Sequence, residues 1–102
     1  MTYSIEILPS ARREWDRMAP DIKRQAVRKL DTLLEQPRIP AARLRGGDDC
    51  YKIKLRAAGY RVIYQVIDAR LVILIVAACK RDSAKDDVYT VAMNRLRQAD
   101  DE

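Results

Sequence analysis

A chain of 102 residues, 48% of them hydrophobic, can bury one modest core and is too short for two, so residues 1–102 are expected to form a single domain. Lys and Arg number 20 against 15 Asp and Glu, a formal charge of +5, which points first to a polyanionic partner such as nucleic acid, although a basic surface can also serve solubility alone. The absence of histidine excludes imidazole-based ribonuclease catalysis, Ser-His-Asp triads, histidine-bound zinc and Cys-His pairs, leaving Lys, Arg, Tyr and carboxylates for any chemistry.

Along the chain, Thr2 to Leu8 alternates, with Tyr3, Ile5 and Ile7 on one side, and reads as a short strand stopped by Pro9 and Ser10. This start lacks the basic and apolar blocks of a signal peptide, so a cytoplasmic location is expected. Ser10 is a candidate N-cap for a helix through Met18. Asp21 is a candidate cap for a longer helix in which Ile22, Ala26, Leu30, Leu33 and Leu34 recur at helical spacing, with Pro37 as its stop. The short connector at Ala19 and Pro20 predicts a helical hairpin, with Trp15 packed inside it.

Pro40, Gly46 and Gly47 mark a loop between Arg38 and Asp49. Three strands follow, Cys50 to Ala57, Tyr60 to Asp68 and Leu71 to Cys79, separated by turns at Ala58-Gly59 and Asp68 to Arg70, the pattern of an antiparallel meander. Leu71 to Cys79 is apolar on both faces, which predicts a central strand, and it is too short to cross a bilayer, so no membrane partner is expected. Pairing the first strand beside it gives a four-stranded sheet packed on the helical hairpin, an α+β fold. Cys50 and Cys79 have neither metal-knuckle spacing nor disulfide-scaffold density and read as small buried hydrophobes. After the polar stretch Lys80 to Asp87, a C-terminal helix capped by Asp86 or Asp87 carries Val88, Val91, Ala92 and Leu96 on one face, followed by an acidic end that frays.

Strand periodicity sorts the second strand into a core face, Tyr51, Ile53 and Leu55, and a cationic face, Lys52, Lys54 and Arg56. A two-residue turn at Ala58-Gly59 would set Arg61 opposite Arg56, Ile63 opposite Lys54 and Gln65 opposite Lys52; a three-residue loop with a glycine bulge would change the pairing. Lys80 and Arg81 add cations where the last strand ends, and together these side chains could line one cleft. Alternating cations can also merely solvate a sheet face or protect an edge. Against that, like charges set opposite one another destabilise a sheet unless an anion relieves them, and a phosphate backbone is such an anion.

The segments Cys50 to Arg56 (CYKIKLR), Gly59 to Arg61 (GYR), Tyr64 to Asp68 (YQVID) and Lys80-Arg81 resemble the RelE family of toxins. Glu14-Trp15, Pro37-Arg38-Ile39 and Leu44-Arg45-Gly46 extend the resemblance over nearly the whole chain. It implies a RelE/ParE-like, microbial-RNase-like fold and a ribosome-dependent endoribonuclease that cuts mRNA within the A-site codon, without metal or other cofactor. It further implies neutralisation by a cognate RelB-like antitoxin, contact with 16S rRNA and mRNA on the ribosome, and operator DNA reached only through the antitoxin complex.

By the same resemblance Lys52, Lys54, Arg61 and Arg81 match catalytic positions, and Tyr89 matches a tyrosine at the start of the last helix. Arg45, Arg56, Lys80 and Lys85 are expected to bind RNA or the ribosome. The stretch from Arg81 to Tyr89 is longer than the family pattern, and Ser83 stands where a basic residue is usual, a loss for which Lys85 is a candidate substitute. Cleavage would proceed by attack of a ribose 2′-hydroxyl on the adjacent phosphorus, leaving a cyclic phosphate and a free 5′-hydroxyl. A lysine crowded by cations gives up its proton more readily, which makes Lys54 beside Lys52 one candidate base and Tyr89 the other. Arg61 suits phosphate charge and Arg81 the leaving oxygen. Two rivals remain: a ParE-like toxin that poisons gyrase, and a non-catalytic RNA-binding module, for which Tyr89 alone among the aromatics stands near the cations.

Overall fold

The computed structural model describes residues 2–44, 49–55, 59–80 and 88–100. Among them the chain runs β1 (Ser4–Ile7), α1 (Pro9–Arg17), α2 (Pro20–Leu33), a one-turn 3-10 helix (Pro40–Ala42), β2 (Cys50–Leu55), β3 (Tyr60–Ile67), a second 3-10 turn (Asp68–Arg70), β4 (Val72–Lys80) and α3 (Val88–Asp100). The strands form one sheet in the order β1-β4-β3-β2. The expected α+β architecture is therefore present, with β4 central as its two-sided apolar pattern predicts.

Both N-terminal helices start two residues earlier than the expected caps imply. Leu8 and Ala19 occupy the N-cap positions, and neither Ser10 nor Asp21 caps by its side chain. Pro9 and Pro20 take the first helical position instead, where a fixed φ suits the helix and a missing N–H leaves no donor unmet. Asp21 still lies in the first turn of α2, where a carboxylate meets the positive end of the helix dipole. Helix α2 closes at Leu33, short of Pro37, and the main chain returns at once to the sheet through Tyr3 N–H donating to Leu34 O at 2.7 Å.

The sheet separates two apolar clusters. On one face Met18, Ile22, Ala26, Leu30 and Leu33 of the helical hairpin meet Tyr51, Ile53, Leu55, Val62, Tyr64, Val66, Ile73, Ile75 and Ala78, with Trp15 packed against the group. On the other face Val88 and Ala92 of α3, both fully buried, cover Ile63, Val76 and Ala77. The strands are thus buried on both sides, and α3 turns the cationic face of β2 into one wall of a cleft rather than an open surface.

Two features of register fix that wall. β1 pairs with β4 in parallel, Ser4 with Val72 through Ile7 with Ile75. β3 and β4 are antiparallel but slip at a bulge: Ile63 faces Ala77 while Tyr64 faces Ile75, leaving Val76 without a Cα partner. The extra residue reverses the inside-outside parity of β4, which is why the consecutive residues Val76 and Ala77 serve the same cluster while Ile75 and Ala78 on either side serve the other. The β2-β3 pairing also differs from the two-residue-turn expectation. Leu55 faces Tyr60, so the connection spans Arg56 to Gly59, and Lys54, not Arg56, lies opposite Arg61; Lys52 faces Ile63 and Cys50 faces Gln65. Gly59 takes φ +67°, a left-handed conformation that glycine adopts without strain.

Segment 34–44 is stapled down by polar contacts. The Arg38 guanidinium forks onto Asp49 and Asp68 at 3.0–3.3 Å, Tyr3 donates to Asp68, and the buried Tyr64 hydroxyl donates to Pro37 O at 2.8 Å. The two carboxylates push the Arg38 pKa up, and Arg38 with Tyr3 holds the Asp68 carboxyl below its ordinary value. Burial and the neighbouring Tyr51 push the Tyr64 phenol up. Of the two cysteines, Cys50 is buried as expected, whereas Cys79 is half-buried, with burial the main cause of its raised pKa.

Candidate active site

Strand alternation places Lys52 and Lys54 of β2 and Arg61 of β3 on the face that α3 partly covers. There, with Arg43, Leu44, Tyr89 and Met93, they line an open cleft of about 400 Å³. Its described lining contains four cations and no carboxylate, a composition that concentrates positive potential where an anion can enter. Lys54 and Arg61 stand directly opposite on adjacent strands. Like charges so placed repel, and the predicted clustering of cations is present, with Lys54 in the position expected of Arg56.

Arg61 is held at one end of its guanidinium only. One terminal nitrogen donates to Tyr60 O at 3.1 Å, while Nε is buried and has no hydrogen-bond partner among the described residues. A buried donor without an acceptor is costly, and a phosphate oxygen is the kind of acceptor that relieves it. The backbone beneath Lys54 is fixed by Lys29, whose ammonium donates to Lys54 O at 2.8 Å. Across the cleft Tyr89, on the first turn of α3, lies beside Lys52, whose ammonium is 6.0 Å from the ring centroid. The arrangement sets flexible point charges, a planar fork and a phenol around one space.

Of the residues expected to act, Lys52, Lys54, Arg61 and Tyr89 are thus brought together. Lys80 is not: it pairs with Tyr60 at the end of β4, its ammonium 6.0 Å from the Tyr60 ring centroid, on the face turned to the helical hairpin. Alternation explains this, since Cys79 and Arg61 occupy the cleft-side pair next to it. Arg45, Arg56, Arg81 and Lys85 lie outside the described residues. Arg43, Leu44 and Met93 were not anticipated as cleft residues. Arg43 bridges Tyr51 along the outer edge of β2 and Leu44 N–H donates to Cys50 O at 2.9 Å, so this short extended run walls the cleft. Met93 is one turn from Tyr89 on α3, a spacing legible in the helix period once Tyr89 is placed.

Fold and cleft together define a small toxin of the type II toxin-antitoxin class: the chain belongs to the ParE/RelE toxin family, its residues 5–83 matching the family described as ParE toxin of the type II system parDE. It is 45% identical to a RelE-like toxin protein of Escherichia coli over 97 residues, 95% of this chain and 100% of that one. It is 42% identical to the mRNA interferase toxin RelE of Escherichia coli strain K12 over 96 residues, 94% and 99% of the two chains. Among solved structures, an arginine-to-alanine mutant of Escherichia coli RelE in the free state matches with TM-score 0.83 and 41% identity over 94% of this chain and 99% of that one. RelE in the intact Escherichia coli RelBE toxin-antitoxin complex matches with TM-score 0.74 and 44% identity, over 76% and 95%.

Proposed function

We propose that this chain is the toxin of a type II toxin-antitoxin pair and acts as a metal-independent endoribonuclease, cutting mRNA in the ribosomal A site and held inactive by a RelB-like antitoxin. The observation that carries this reading is the convergence of Lys52, Lys54 and Arg61 from two strands, facing Tyr89 of α3 in one cleft. Identity above 40% to an mRNA interferase RelE supports the same substrate class, and the solved RelBE complex of Escherichia coli supports an antitoxin as partner.

In the reaction the 2′-hydroxyl attacks its own 3′-phosphorus and the 5′-oxygen of the next nucleotide leaves. Arg61 grips the non-bridging oxygens, satisfying its orphaned Nε and offsetting the charge that grows in the transition state. Lys52 adds positive charge beside Tyr89. Either Lys54 as its free amine or Tyr89 as its phenolate takes the 2′-proton, and Arg81 is assigned to neutralise the leaving 5′-oxygen, which becomes a hydroxyl with a proton from water. A weak base makes orientation of the nucleotide the larger share of the rate, a task the ribosome supplies.

The deciding experiment maps mRNA ends by primer extension in a reconstituted translation reaction, with and without ribosomes, beside Arg61→Ala. Cuts within A-site codons that require both ribosomes and Arg61 are expected; rapid cutting of naked RNA, or intact mRNA, sinks the reading. The match to the ParE family favours one second reading, poisoning of DNA gyrase, which predicts intact mRNA and lost supercoiling activity.

A further inference from the structure

Glu14 of α1 and Arg95 of α3 meet over the edge of β4 that β1 leaves uncovered. Glu14 Oε1 and Oε2 accept from the two terminal nitrogens of Arg95 at 2.7 and 3.0 Å. The same pair completes the hydrogen bonding of β4: Arg95 donates to Val76 O at 3.0 Å, and Ala78 N–H donates to Glu14 Oε1 at 3.2 Å. Both side chains are largely shielded, 18% exposed for Arg95 and 24% for Glu14. β1 stops pairing at Ile75, so these backbone groups would otherwise face an open edge.

The position of the contact matters more than its strength. Val76 is the bulged residue that sets the β3 register, and Ala78 faces Val62, which lies between Arg61 and Ile63. Arg95 lies six residues beyond Tyr89 on the same helix, about 9 Å along its axis at the helical rise. One side-chain pair therefore references both walls of the cleft to a single point of β4: the strand wall that carries Arg61 and the helix wall that carries Tyr89. The apolar face of α3 alone, Val88 and Ala92 against Ile63, Val76 and Ala77, is non-directional and would tolerate sliding of the helix.

We propose that Glu14 and Arg95 are positioning residues for the cleavage reaction, setting the placement of Tyr89 against Lys52 and Arg61 through their joint grip on Val76 and Ala78. This rests on the endonuclease reading for its kinetic consequence but not for its structural one. The test uses the full-length toxin, freed from its antitoxin, with Glu14→Gln and Arg95→Lys, changes that keep size or charge but break the paired fork. Three quantities are measured: turnover on programmed ribosomes, melting temperature, and the ring resonances of Tyr89.

The expected result is a fall in kcat of roughly ten- to a hundredfold with KM within about twofold, as misplacement of a reacting group produces. The Tyr89 ring resonances should move while the variants stay folded. Unmoved Tyr89 resonances in folded variants overturn the proposal, as does a loss of cutting that only follows loss of folded protein. Should wild-type protein fail to cut, the endonuclease reading falls, and the Tyr89 resonances alone decide whether the pair positions the helix.

Discussion

Setting Lys54 directly across from Arg61 costs folding stability, because two like charges on neighbouring strands repel with nothing in the described lining to offset them. Lys54→Gln is therefore expected to raise stability by about 0.2–1 kcal/mol in urea unfolding, while turnover on ribosome-bound mRNA falls. A variant that loses both would mean that Lys54 serves the fold. At Arg61 the planar fork matters as much as the charge, so Arg61→Lys should lose about a hundredfold in turnover, the scale of removing one well-placed donor from a developing oxyanion. Tyr89→Phe separates the two candidate bases in single-turnover cleavage: near-normal rates assign the proton to Lys54, and a collapse assigns it to the phenol.

At the level of elements, α2 contributes the deepest aliphatic side chains of the hairpin face. Leu30 is 1% exposed in the larger cluster, so Leu30→Ala should destabilise by about 2–5 kcal/mol in urea unfolding. The Arg38 clamp has a pH signature. The folded-state pKa of Asp68 is lowered, first by Arg38 and then by Tyr3. Its stabilisation is therefore complete above the unfolded value of about 3.9 and is lost as pH falls through the lower folded value. Asp68→Asn should accordingly lower the melting temperature at neutral pH and match wild type at the acid end; an equal deficit at every pH would refute the clamp.

These elements also show what a sequence makes legible. The alternation of CYKIKL and the two-sided apolar run of β4 report burial directly, so the faces of β2 and the central place of β4 could be read from residue type. The bulge at Val76 could not, because a strand apolar on both faces gives no parity to betray an extra residue. Pairing across the Arg56 to Gly59 connection depends on backbone conformation, which Ala-Gly specifies poorly, and this put Arg56 in the place of Lys54. The Glu14-Arg95 pair joins positions whose separation along the chain no local pattern records.

For the whole molecule, the decisive quantity is a net positive charge gathered into a cleft rather than spread evenly. RNA affinity should fall with salt, and removing one phosphate-binding cation should flatten the slope of log K against log salt by roughly 0.7. Lys52→Ala titrated against an RNA oligonucleotide over a salt series measures this; an unchanged slope places the phosphate elsewhere.

The parallel pairing of β1 with β4 carries a consequence for how the protein is made. Ser4 must find Val72, so the first strand to be synthesised waits for the last before the sheet can close. Contacts this distant in sequence are slow to form, and domains complete themselves only once their final segments have emerged. Until then Arg61 has no β4 to face, and the helix bearing Tyr89, which follows β4 in the chain, has yet to be made. The cationic cleft therefore cannot assemble on a nascent chain until β4 has been made and paired.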